Sequence, residues 1–251
     1  MSALESFQIH LSSMSADRIY NNNNCDCEFN LPVIEIPSQY HIHLSVQNAV
    51  IPFTFYNINA TNNLLSYSMN SIIYEVNITL GNYNVNTLKT FLNNNMPGFT
   101  ITYNSITNKY TFTNNLAINF TILSISSCYY LIGFSQENTT SDNGVLTSTR
   151  VMNLAPVRLI NVLSNLPTNN INKISANNKS VICSIPVMSQ PFSIIHYVNS
   201  TGFKINSFTN TISTLQIKLT DQLVGTLLEL NGSNWSMTLQ IDIVDFVDDS
   251  N

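Results

Sequence analysis

The sequence predicts an all-β protein: a single jelly-roll sandwich, about eight strands in two sheets, interrupted by a small α+β insertion. Three observations carry that expectation. Apolar and polar residues alternate in Tyr40–Val46 and in Trp235–Ile243 with the period of half-buried strands. The spacers between such rows are very unequal, which suits a jelly roll better than a meander, and no fixed repeat points to a solenoid or propeller. A capped helical span followed by a hairpin breaks the β texture between Val76 and Asn143.

The chain is organised around Tyr40–Asn59. Tyr40, Ile42, Leu44 and Val46 form one apolar row, with His41, His43, Ser45 and Gln47 opposite. The parity then switches, and Ala49, Ile51, Phe53 and Phe55 continue the row. A bulge near this switch keeps one face on the core while bending the strand. Pro52 cannot donate to a ladder, so the strand must lie at an edge or leave the sheet there.

In chain order, Phe7, Ile9 and Leu11 alternate with polar residues and predict a short first strand. Its isolation suggests an arm that adds to a neighbouring subunit. Ser13–Asp26 reads as a loop, and Phe29, Leu31 and Val33 as a second short strand. After the Asn-rich turn Asn57–Asn63, a strand is expected at Ile72–Leu80. Asn84 is a good N-cap for a helix carrying Val85, Leu88, Phe91 and Leu92. A hairpin at Phe99–Phe112 turns near Ser105–Asn108, a strand spans Leu116–Ile125, and Ser127 caps a helical turn over CYYLIGF that Gly133 stops. Further strands are expected at Val145–Leu154, Val157–Leu166, Ser180–Val187 and Phe192–Val198, with the loop Pro167–Lys179 between two of them. Leu215, Ile217 and Leu219 mark another strand, and a short run at Leu227–Leu230 meets the tight turn Asn231-Gly232. The resulting division is residues 1–38 as arm and first short strands, 39–75 with 144–251 as the jelly roll, and 76–143 as the insertion.

Composition narrows the function. Only 9% of the 251 residues are charged, against roughly 25% in an average soluble chain. No Asp, Glu, Lys or Arg occurs between Glu35 and Glu75, and only Lys109 between Lys89 and Glu137. Broad neutral surfaces of Asn, Ser and Thr are cheap to desolvate against neighbouring subunits. A net charge of −5 with singly scattered basic residues argues against nucleic-acid binding. No apolar run approaches a membrane span, and MSALESFQIHLSS lacks the pattern of a signal peptide. Synthesis in a cytosol, with reduced cysteines, is therefore expected.

The phrases NAVIPFTFYNIN, ITLGNYNVNTLKTFL, YNSITNKYTF, LIGF and LQIKLTDQLVGTLLELNGSNWSMTLQIDIV follow one another in this order. Together they resemble the penton, or minor capsid, proteins of virophages and Polinton-like viruses. The similarity covers most of residues 40–244 and is strongest at Ala49–Asn59 and Leu228–Ile243. It implies a single jelly roll that forms homopentamers at the fivefold vertices of an icosahedral virion, beside trimers of a double-jelly-roll major capsid protein. It also implies that the insertion projects from the vertex or caps it. Assembly would take place inside the infected host cell, in its cytoplasm.

No catalytic, cofactor or metal site is expected. Cys25 and Cys27 could meet His41 and His43 at a metal, but Cys-X-Cys lacks the spacer of structural zinc sites. Cys128 and Cys183 read as small core residues, and His196 as a hydrogen-bonded strand histidine. Asp242, Asp245, Asp248 and Asp249 could gather calcium, against the simpler reading of a solvated terminus. Trp235 shares the core row with Met237 and Leu239, which favours packing over a sugar platform. No nucleophile elbow, phosphate loop or metalloprotease helix occurs, so an enzyme is not expected. The alternative to a vertex protein is a receptor- or carbohydrate-binding head of a virion, contacting a host surface through insertion residues such as Tyr83 and Tyr103.

Overall fold

The computed structural model describes residues 4–168, 180–222 and 226–245. Its first strands are β1 (Glu5–Ser12), β2 (Arg18–Ile19), β3 (Asp26–Glu35) and β4 (Tyr40–Pro52). There follow β5 (Leu64–Met69), β6 (Ile72–Asn77), helix α1 (Val85–Asn95), β7 (Phe99–Asn104), β8 (Lys109–Asn114), β9 (Phe120–Ile122), β10 (Thr139–Thr140) and β11 (Val145–Thr147). The chain ends with β12 (Leu159–Ser164), β13 (Ser180–Pro186), β14 (Ile194–Val198), β15 (Ile205–Ser207), β16 (Thr211–Asp221) and β17 (Ser236–Asp245). These elements form two compact units, Met1–Phe55 with Val157–Asn251, and Tyr56–Pro156.

The first unit is a jelly-roll sandwich of two five-stranded antiparallel sheets. One runs β1-β17-β4-β14, with β15 also on β4; the other runs β13-β12-β16-β3-β2. Residues that alternate along each strand meet in one core: Ile42, Leu44, Met237, Leu239 and Ile241 from the first sheet, and Phe29, Val162, Leu215, Ile217 and Leu219 from the second. The parity switch in β4 is resolved as expected. Thr238 pairs with Asn48 and Leu239 with Val46, so Gln47 is the extra residue of a bulge, and Ala49 and Ile51 stay buried. Beyond Val50 the β17 ladder ends, so Pro52 lies where only β14 pairs with β4. Asn231 and Gly232 both have positive φ, 50° and 79°, in the turn that precedes β17.

The second unit holds the sheets β10-β9-β5-β6 and β11-β8-β7. Asn84 caps α1 by accepting from the Asn86 and Thr87 amides, while the Thr87 hydroxyl accepts from the Asn84 amide. The helix buries Leu88 and Leu92 with Tyr67, Phe99, Ile101, Tyr110 and Phe112. This unit is wider than the 76–143 span read from the sequence. Tyr67 of β5 pairs with Tyr74 of β6 and with Ile122 of β9, and Asn57 donates to the Leu154 carbonyl at 3.0 Å, so both flanks belong to it.

Other local expectations are corrected. The amino-terminal strand is not a free arm: β1 pairs along its whole length with β17 of the same chain, and Leu11 enters the core. The Leu116–Ile125 strand shrinks to Phe120–Ile122, because the Asn114 side chain accepts from the Leu116 and Ile118 amides and Ala117 takes a positive φ. Cys128–Phe134 is a series of turns, and the Ser127 hydroxyl accepts from the Leu64 amide instead of capping them. Leu227–Leu230 makes one bridge, Leu227 to Thr220, and β5 and β15 were not foreseen.

Candidate interaction surface

The residues weighed for chemistry do not converge. Cys25 and Cys27 lie in the sandwich core, and Cys27 Sγ donates to the Asn24 carbonyl. His41 and His43 lie on β4 opposite its core row, with their Nε2 atoms 3.3 Å apart. Burial pushes the Cys25 thiol far up, Cys27 to about 11 and Cys128 to about 12, which suppresses the thiolate that metal binding or nucleophilic attack would need. Among the described residues no three His, Cys, Asp or Glu side chains come together as metal ligands.

Asp242 is committed within the fold. Its carboxylate accepts from Ser6 Oγ at 2.6 Å, from Gln240 Nε2 at 2.8 Å and from Lys204 Nζ at 2.6 Å. Asp248 and Asp249 lie outside the described residues. Trp235 is buried, edge-on to Phe29, and its indole N–H donates to the Asn24 carbonyl. Tyr83 is half-buried against Phe91, and the half-buried Tyr103 donates through its hydroxyl to Asn108 Oδ1 at 2.8 Å. His196 is an exposed residue of β14, its backbone paired with Val50.

What the first unit does present is two open flanks. On one, β1 is an outermost strand and, among the described residues, pairs only with β17. Facing it is the second half of β3, since β2 pairs only with Cys27 and Glu28. The β3–β16 register slips between Asn30 and Ile34, around Pro32, which has no N–H for a ladder. Between these edges lies a groove of about 730 Å³ lined by Phe7, Ile9, Leu31, Pro32, Val33 and Ile34, together with Glu5, Gln8, His10 and Glu35.

The opposite flank carries β14, which among the described residues pairs only with β4. Here Met188, Phe192, Ile194 and Val198 are 91%, 75%, 61% and 56% exposed. Gln190–Ser193 is a tight turn in which the Ser193 amide donates to the Gln190 carbonyl, with Pro191 second. Phe192, third, has φ 68°. That position favours glycine, and a bulky residue there is strained by about 1–3 kcal/mol. Charge is uneven along the sequence, with Lys218 paired to Asp26 and Lys204 to Asp242 inside the fold. Residues 1–35 hold Glu5, Asp17, Asp26, Glu28 and Glu35 against Arg18 alone, whereas 157–220 hold Arg158, Lys173, Lys179, Lys204 and Lys218 and no acid. Sequence reading missed both flanks, although the Pro191-Phe192 pair in an otherwise apolar run was a visible signal.

No protein-family model matches the chain, and no curated protein matches it by sequence. Its fold does match solved structures. Against the crystal structure of the selenomethionine-labelled mavirus penton protein, the alignment covers 96% of this chain and 100% of that one, with TM-score 0.54 and 12% identity. Against a chain in the cryo-EM structure of the Sputnik virophage, it covers 98% and 99%, with TM-score 0.47 and 15% identity. The chain thus has the fold of the mavirus penton protein. No helix among the described residues is long and apolar enough to cross a membrane.

Proposed function

We propose that this chain is a structural capsid protein, the pentameric vertex subunit of an icosahedral virion. The observation that carries the proposal is the fold shared with the mavirus penton protein over nearly the full length of both chains. The surface chemistry supports it. A subunit enclosed by neighbours gains from a surface with few charges to desolvate, and only 9% of these residues are charged. Two open flanks at opposite ends of one sheet suit a ring, in which each copy presents a different face to each neighbour. In this role the chain joins four identical copies around the fivefold axis, two of them direct neighbours, and abuts double-jelly-roll major capsid proteins outside the ring. Its work is mechanical, not catalytic, and it resides at the capsid vertex after synthesis in the host cytoplasm.

Cryo-EM of particles assembled with this chain tests the proposal. Five copies of the chain should fit the density around each fivefold axis. Vertices built from another protein, or a chain that stays solitary during assembly, would overturn it.

A further inference from the structure

We propose, resting on the vertex reading above, that the two flanks are the two halves of one contact: the Met188–Val198 ridge of one copy seats in the β1–β3 groove of the next. The partner is a second copy of this chain, and four observations select it.

The first is geometry. β1 and β14 end the same sheet on opposite sides, so a contact joining them is heterologous, and rotation about an axis closes it into a ring. The second is shape and polarity. A concave apolar groove needs a convex apolar occupant, and the ridge supplies Phe192 and Ile194. The third is charge. Glu5 and Glu35 line the groove, and the exposed Arg158 accepts the Val187 amide at its carbonyl, beside Met188 on the ridge. Lys204 and Lys218 are already paired with Asp242 and Asp26 within the fold, so the charges left for the contact are Glu5 and Glu35 on one side and Arg158 on the other. The fourth is strain. A phenylalanine held at φ 68° and 75% exposed contributes little to its own fold. An aromatic anchor buried in a neighbour's groove accounts for it.

Cysteine cross-linking tests the assignment without disturbing the core, because Val33 and Phe192 are both exposed. V33C and F192C are purified separately. Mixed under mild oxidation they should give a disulfide dimer, and neither should do so alone. Combined in one chain they should give a ladder that stops at five subunits. Independently, F192D should raise the concentration needed for half-assembly about tenfold or more, as expected for a central anchor.

Absence of the mixed cross-link overturns the assignment. Native mass spectrometry then separates the two readings: rings of five without the cross-link leave the vertex role standing with other faces in contact, and a lack of any ring removes both. A V33C thiol protected from maleimide in the monomer until residues 246–251 are deleted shows a groove filled by its own chain, which also overturns the proposal.

Discussion

Lys204 and Asp242 meet at 2.6 Å, an ammonium 39% exposed against a carboxylate 3% exposed, and so tie the entry of β15 to β17. Ser6 on β1 donates to the same carboxylate, making Asp242 a junction of three segments far apart in sequence. Burial by itself would raise the Asp242 carboxyl. The hydrogen bonds from Gln240, Lys204 and Ser6, with the Lys204 charge, outweigh it and hold the group below its ordinary 3.8.

A carboxyl depressed in the folded state contributes stability that is fully present above its unfolded value and lost as pH falls through the folded one. Unit 1 should therefore weaken below about pH 4, and Asp242→Asn should flatten that part of the profile. Urea midpoints followed by Trp235 fluorescence at about pH 6 and about pH 3 give the comparison. Lys204→Met should lower stability at neutral pH by about 1–3 kcal/mol, because it removes a donor from a buried carboxylate.

Deletion of residues 1–12 removes an edge strand that β17 hydrogen-bonds from Ser236 to Ile243, together with the buried Leu11. The truncated chain should unfold at lower urea than the full chain, with β17 amides exchanging faster by hydrogen exchange. A truncated chain of unchanged stability would show that β1 contributes only between subunits.

Gly133 has φ 84°, and a Cβ there would stand 2.5 Å from the Arg150 carbonyl oxygen and 2.9 Å from Ser148 Oγ. Strain and collision act together, and the obstacle is backbone. Gly133→Ala should destabilise unit 2 by more than about 2 kcal/mol. The control Gly98→Ala, at φ 81° with open space around it, should cost only about 1 kcal/mol. Thermal denaturation of the two variants measures the difference.

Asn57 closes the base of the second unit. Its side chain donates to the Tyr83 and Leu154 carbonyls at 2.8 and 3.0 Å and accepts from the Tyr83 amide at 2.9 Å. Asn57→Ala should cost about 1–3 kcal/mol, since it strands buried backbone groups. Asn84→Ala, at the exposed cap of α1, should cost about 1 kcal/mol. Guanidinium unfolding curves rank the two.

The strands with strict two-residue alternation were legible in the sequence. Trp235, Met237, Leu239, Ile241 and Ile243 are buried as a row, and the bulge needed between Val46 and Ala49 is there. The cap at Asn84 was legible too, because its chemistry is local. Leu64–Met69 escaped because its hairpin turns on Asn70 and Ser71, both at positive φ, with no glycine to announce it. Leu116–Ile125 was over-read because one side chain, Asn114, diverts the backbone in a way that apolar patterning does not encode. The groove was invisible for a different reason. Its walls, β1 and the end of β3, are each unremarkable in sequence, and only the pairing of β1 with the last strand makes a cleft between them.

The bulge at Gln47 has a consequence for how this protein can vary. Tyr40–Val46 and Ala49–Ile51 point the same way, although Val46 and Ala49 are three positions apart, because the bulge absorbs the odd residue. The odd residue is accommodated only as a bulge, which bends the strand at Gln47. Removing that amino acid would leave a two-residue step that a regular strand keeps on one face, so a descendant without it would hold both apolar rows on the core and lose only the bend.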